Sequence, residues 1–271
     1  VIVYTSPFLL AAAAAGQPLT NSRIGWHTWL RDLAPSAVTV SGETEDGPKD
    51  MPLRPDTATY WRPPALPATY VADLGQTRDV DYGGLVGSLG SSRASVLMET
   101  SIDDGAWTAL GQEALPANDA PLLFLDSSRQ ARKVRWTFKG AGAVPRISVV
   151  YAGEILAMPV PPDAPYTPLN LSRETVLMQT LSRGGQFLGQ EIRRMGMKSK
   201  ASFSFLNSSW VRENFDPFMQ AARRYPYFFA WQPGVYPLEV GYVWTDRDIV
   251  PTQTSFALMN VDWAMQGIGH E

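Results

Sequence analysis

Apolar and polar positions alternate most strictly over Lys133–Phe138, where Val134, Trp136 and Phe138 share one side and Lys133, Arg135 and Thr137 the other. A period of two predicts a strand with one packed face and one wet face. Similar short runs, rich in β-branched and aromatic residues, occupy Ala37–Val40, Ala68–Gly75, Ala94–Ser101 and Arg146–Gly153, with Gly, Pro, Asp and Ser between them. These are strand signals. Asp103-Asp104-Gly105 lies between two such runs and predicts a tight hairpin, because glycine tolerates positive φ. The glycines of Gly83–Gly90 predict a strand with tight backbone approach. The first half therefore reads as antiparallel β.

Five prolines fall within Pro159–Pro168, too many missing N–H donors for a helix or a central strand. The run predicts a stiff, extended connector. Beyond it, Glu174–Leu181, Gln186–Gly196 and Ala201–Leu206 read as three strands. Val211, Phe215, Phe218 and Ala222 then make a helical stripe, with Asn207, Ser208 or Ser209 as N-cap. Asp216-Pro217 is either a kink in that helix or a second start, and Pro226 ends it. Tyr227–Trp231, Leu238–Trp244 and Thr254–Met265 complete a β-β-β-α-β-β-β order.

A chain of 271 residues suits two domains better than one. The expected boundaries are an N-terminal strand and connection over 1–18, belonging with the assembly domain; a jelly roll over 19–156; a proline-rich linker over 157–169; and a β-rich assembly domain over 170–271 with its helix near 209–224. Pro7–Gly16 could pass for the apolar part of a secretory signal, but the first positive charge is Arg23, and a buried strand followed by a small-residue connection is the preferred reading. No apolar run approaches the ~20 residues of a membrane span.

The chain has no cysteine, which removes disulfides, thiolate metal sites and cysteine nucleophiles. Its net charge of -3 argues against a nucleic-acid partner. Aromatics at 11% against charged residues at 18% suggest broad surfaces buried within or between subunits. Phosphate loops, serine-nucleophile elbows and zinc-protease motifs are missing, so no enzyme activity and no cofactor are expected. His27 and His270 are the two imidazoles, and His27 reads as a structural, hydrogen-bonded residue. Glu43, Glu45, Asp46 and Asp50 form an acidic loop without EF-hand spacing, which reads as a solvated surface loop.

Basic residues cluster at Arg129, Arg132, Lys133 and Arg135 and again at Arg193, Arg194, Lys198 and Lys200; they serve either as polar strand faces or as partners for an acidic rim on a neighbouring subunit. Trp26, Trp29 and Trp61 lie in loop-like sequence, as glycan-stacking candidates or as packing under loops. Arg193, Arg194, Trp210 and Trp263 are the candidate interface residues.

Asp56–Trp61, Tyr70–Gly75, Thr100–Trp107 and Lys133–Phe138, in that order, resemble the discoidin-type, galactose-binding-like domain. That resemblance implies an eight-stranded jelly roll that recognises sugars, lipids or proteins, and leaves a structural calcium open. Arg183–Gly196, Trp210–Pro233 and Glu239–Thr245 resemble the C-terminal part of tail proteins of long-tailed bacteriophages. This second resemblance implies a virion tail component made in the host cytoplasm, of the distal-tail or baseplate kind, in a trimeric or hexameric ring between the tail tube and hub proteins and the host-attachment apparatus. The alternative is a carbohydrate-binding module that contacts the host surface.

Overall fold

The computed structural model describes residues 2–5, 18–103 and 105–268, with side chains from residue 18 onward. Pro7–Gly16, Asp104 and His270 lie outside the described residues. The chain is mostly β, built from two hydrogen-bonded sheets.

In the first sheet two long strands, β4 (Ala68–Gly87) and β7 (Leu122–Lys139), pair antiparallel. Register shifts between Asp73 and Arg78, and between Val80 and Tyr82, divide each into two arms, as bulges bend a strand. Ala68–Asp73 and Lys133–Phe138 are flanked by β3 (Val38–Val40) and by β5 (Ser95–Ser101) with β6 (Thr108–Ala109). Tyr82–Leu85 and Leu122–Leu125 are flanked by β8 (Ile147–Gly153) and β1 (Ile2–Thr5). Tyr70, Trp136 and Phe138 from the first pair of arms meet Leu85, Phe124 and Val150 from the second in one buried cluster. The sheet is thus folded over its own core as a jelly-roll β-sandwich.

The second sheet runs in the order β10 (Glu174–Leu181), β11 (Phe187–Asn207), β15 (Leu258–Ile268), β13 (Val240–Trp244), β12 (Tyr227–Ala230), β2 (Arg23–Gly25), β9 (Leu156–Ala157), with β14 (Thr252–Ser255) also on β15. A helical segment packs on one face of this sheet. It comprises Ser208–Trp210, a π turn at Val211–Phe215 and an α-helix at Asp216–Ala222. The Asn207 side chain caps it by accepting from the N–H groups of Ser209 and Trp210. Pro217 stands at the start of the final helix, so the second-start reading holds. Val211, Phe215, Phe218 and Ala222 are all buried, as their spacing predicts.

The other face of this sheet meets the jelly roll. Along β12, Tyr227 and Phe229 join the helix-side core while Phe228 and Ala230 join Tyr82, Leu123, Leu125, Val149 and Tyr151 in a third cluster. Strands β8 and β12 are consequently buried throughout. Gly84 permits this contact, because a Cβ there would collide with the Phe228 ring.

Several expectations are corrected. Gln186–Gly196 and Ala201–Leu206 form one strand, because Lys198 and Lys200 sit on the wet side of a continuing alternation and Ser199, on the buried side, donates to the Thr167 carbonyl at 2.6 Å. Thr254–Met265 is a hairpin that turns around a 98% exposed Phe256. The Ile2–Thr5 strand, expected with the assembly domain, instead runs parallel to Leu122–Leu125 of the jelly roll. Arg23–Gly25, expected in the jelly roll, belongs to the second sheet. The proline run is extended but docked: Met158 and Leu169 are buried, the Asp163 N–H donates to the Ser202 carbonyl at 2.8 Å, and Tyr166 stacks on Trp231 with ring centroids 3.5 Å apart.

Candidate functional site

At the end of the jelly roll where β4 runs out and β8 begins lies a cleft of about 740 Å³. Its walls present Tyr60, Ser88, Ser91, Asn118, Asp119 and Arg146, and the second sheet closes one side with Met195 and Ile268. The Arg146 guanidinium lies 4.9 Å from the centre of the Tyr60 ring. Its own main-chain N–H donates to Ser88 Oγ at 2.8 Å, and the Ser91 N–H donates to Asp119 Oδ1 at 2.8 Å. An aromatic ring, a cation and several hydroxyl and amide groups around a concave surface are equipment for holding a polar ligand. Tyr60 and Arg146 are distant in sequence, joined by the bridge between Trp61 and Ile147. Their pairing leaves no local motif to read.

A second feature is the arm made by β10 and the start of β11. Its seven large apolar residues Val176, Leu177, Met178, Leu181, Phe187, Leu188 and Ile192 are 44–63% exposed. β10 pairs with β11 on one edge and has no strand on the other among the described residues. Large apolar side chains left in water are unfavourable, and an unpaired edge strand adds open N–H and C=O groups. The sequence signal was the unbroken apolar run Val176-Leu177-Met178, which puts apolar side chains on both faces of a strand.

The expected tryptophans separate. Trp61 is fully buried; its Nε1–H donates to the Gly42 carbonyl at 3.0 Å and its ring meets Tyr70 edge-on at 5.3 Å. It has no face for a sugar, because the loop packs it into the jelly-roll core. Trp263 is likewise buried, donating to Tyr227 Oη at 2.9 Å and stacking on Phe203, so it is a core residue and not an interface residue. Trp210 is half-buried beside Phe215, and Trp26 is half-buried 6.3 Å from Phe218. Trp29 is half-buried with its Nε1–H on the Asp79 carbonyl at 2.8 Å. Arg193 and Arg194 are exposed on the arm, Arg193 3.1 Å from Glu191. The structure does not bring Trp26, Trp29 and Trp61 together into a platform.

The first basic cluster is matched within the chain. Arg129 pairs with Asp126, Arg132 with Asp73 at 3.3 Å, Lys133 with Asp73 at 3.7 Å and Arg135 with Glu99 at 2.8 Å. In the acidic loop, Asp46 and Asp50 pair with Arg62 and Arg54, and Glu43 accepts the Lys49 N–H at 2.6 Å. No group of three or more potential metal ligands occurs among the described residues.

One carboxyl is strongly perturbed. Burial pushes Asp81 up to about 7, against a hydrogen bond from the Ile155 N–H at 2.7 Å. Glu154 adds to the rise and Arg23 opposes it. Asp81 sits at the joint between the halves and lines neither of the surfaces above. No described helix is long and apolar enough to cross a membrane.

The fold is a jelly-roll β-sandwich joined to a second, sheet-and-helix unit. No protein-family profile and no curated protein matches the chain. Among solved structures it is similar to chitosan-binding module 1 from a chitosanase/glucanase of Paenibacillus sp. IK-5, with 15% identity over 47% of this chain and 99% of the module at a TM-score of 0.42. It is also similar to the module CpGH89CBM32-6 of Clostridium perfringens, at 18% identity, 47% and 99% coverage and a TM-score of 0.39. A pectin-binding carbohydrate-binding module matches at 18% identity, 44% and 89% coverage and the same TM-score. None of these three is a tail protein, so the tail-tip expectation finds no support among them.

Proposed function

We propose that this chain is a non-catalytic assembly protein that carries a jelly-roll binding unit and associates with further copies through the β10–β11 arm. One observation carries this reading: the arm holds seven large apolar side chains in the open on a hairpin with an unpaired edge. Water contact at that many apolar groups is unfavourable by roughly 25 cal/mol per Å², and a partner removes it. The finer reading, a ring-forming component of a phage tail tip, rests on the sequence resemblance described above. Sedimentation velocity tests the coarser reading. A closed oligomer is the expected species; a monomer that persists at concentrations of about 100 μM, far above ordinary subunit affinities, overturns it.

A second reading, carbohydrate binding, is favoured by the Tyr60–Arg146 cleft. Its test is glycan-array binding that is lost in Tyr60→Ala while the fold is retained. Binding that survives in both Tyr60→Ala and Arg146→Ala places the sugar elsewhere.

A further inference from the structure

The opposite end of the jelly roll holds a smaller pocket of about 320 Å³. His27, Trp29, Arg31 and Arg78 line it, with Leu33 and Leu74 as its apolar wall. Its charge is unusual. Arg31 and Arg78 are both half-buried, and neither forms an ion pair with a carboxylate among the described residues. The arginines of the neighbouring sheet face, in contrast, are matched by Asp73 and Glu99.

Both guanidiniums are held in place by aromatic rings. Arg78 lies 4.5 Å from the centre of the Trp29 ring, and Arg31 lies 3.8 Å from that of Tyr225. Stacking fixes the plane of a guanidinium while leaving its edge N–H groups free to donate. One such group of Arg31 donates to the Trp26 carbonyl at 3.1 Å. Those of Arg78 meet the side-chain oxygen of Gln76, with Nε at 2.9 Å, when that amide is turned to satisfy them. Gln76 is exposed, so the Arg78 N–H groups are met by a neutral amide oxygen, a weaker acceptor than a charged oxyanion. His27 completes the set, its ring 4.2 Å from Trp29.

We infer that this pocket binds an oxyanion, the carboxylate, sulfate or phosphate group of a small ligand, between Arg78, Arg31 and His27. Two oriented guanidiniums suit the paired oxygens of such a group, and the Trp29 ring with Leu33 and Leu74 suits an apolar or ring-shaped remainder. The pocket is separate from the Tyr60–Arg146 cleft and from the arm, and the inference depends on neither.

His27 gives the site a pH dependence. Burial lowers the imidazole pKa below its ordinary value, with Arg31 and Arg78 lowering it further and Glu154, 3.5 Å from Nδ1, opposing them. Asp32 stands at the pocket wall, and Asp81 interacts with Glu154. A bound anion favours protonated His27, so binding strengthens as pH falls through the imidazole range.

The test follows the indole N–H resonances of the full chain labelled with ¹⁵N-tryptophan, with the Trp29 signal assigned by Trp29→Phe. Sulfate, galacturonate and, as the neutral control, galactose are titrated separately. The expected result is a saturable shift of the Trp29 signal with sulfate or galacturonate and none with galactose. Affinity falls about tenfold or more in Arg78→Gln and is unchanged in Arg132→Gln. A tighter fit of galacturonate than of sulfate identifies an acidic sugar as the source of the anion; the reverse identifies a free or small inorganic anion. His27→Gln flattens the gain in sulfate affinity between about pH 8 and pH 5. The inference is overturned if neither anion gives a saturable shift up to about 100 mM, a concentration that would reveal even millimolar affinity, or if Arg78→Gln keeps its fold and binds as before.

Discussion

The Tyr242 hydroxyl donates a 2.7 Å hydrogen bond to the main-chain carbonyl of Pro55, 187 residues away. It also lies 3.5 Å from the Tyr151 hydroxyl, which donates to the Pro226 carbonyl at 3.1 Å. Two tyrosines, one from each half, thus bond across the same buried seam. Tyr242→Phe is expected to cost about 1 kcal/mol, the net worth of one hydrogen bond. Phe228→Ala, which empties the centre of the seam, is expected to cost about 3–5 kcal/mol. Urea denaturation followed by both tryptophan fluorescence and circular dichroism checks this; the two probes should report one shared transition in the native chain.

Gly84 offers the opposite perturbation. Gly84→Ala forces the Phe228 ring to move, and overpacking of this kind costs about 1–3 kcal/mol. A loss of that size in Gly84→Ala should shrink in the double variant Gly84→Ala/Phe228→Leu, which a double-mutant cycle measures directly.

Asp81 sets a pH window. Its carboxyl is raised to about 7 in the fold from about 4 in the unfolded chain. Between those values the folded state holds the extra proton, so stability falls as pH rises from about 4 to about 7 and levels off above. Asp81→Asn keeps an acceptor for the Ile155 N–H and removes the charge. Thermal unfolding should show that this substitution flattens the slope and raises stability at pH 8, by about 4 kcal/mol at the very most. A variant no more stable than the native chain at pH 8 would remove Asp81 as the cause.

The arm answers to charge. Leu177→Glu combined with Phe187→Glu places two carboxylates on exposed apolar positions, so the monomer fold should change by no more than about 0.5 kcal/mol. Sedimentation should show the oligomer dissociating at concentrations where the native chain stays assembled.

Trp61 and Tyr60 are neighbours with opposite expected behaviour. Trp61→Ala opens the jelly-roll core and should cost about 3–5 kcal/mol, with any loss of ligand binding secondary to unfolding. Tyr60→Ala lies on the cleft and should leave the melting temperature nearly unchanged. Parallel melting curves separate the two.

What could be read from the chain was what depends on neighbours in sequence. The alternation of Val134, Trp136 and Phe138 and the stripe from Val211 to Ala222 both appear as buried faces, because periodicity reports which side of an element packs. The division expected between Gly196 and Ala201 is absent, since Lys198 and Lys200 at alternate positions are compatible with an unbroken strand. Arg23–Gly25 joins a sheet whose other members begin more than a hundred residues later, and nothing local encodes that partner. Tyr60 and Arg146 are likewise assembled by long-range pairing. The Trp61 indole could be assigned to a loop but not to a side of it, because loop residues lack a period.

The doubly buried strand β8 bears on how such a chain could be taken apart. Cut at the prolines and expressed alone, the jelly roll would leave Tyr82, Leu123, Leu125, Val149 and Tyr151 facing water. Arg23–Gly25 would keep Leu156–Ala157 beside it but lose its other partner, Tyr227–Ala230. The jelly roll is therefore a fixed part of this chain, and any transplantation of it would have to repaint one face with polar side chains first.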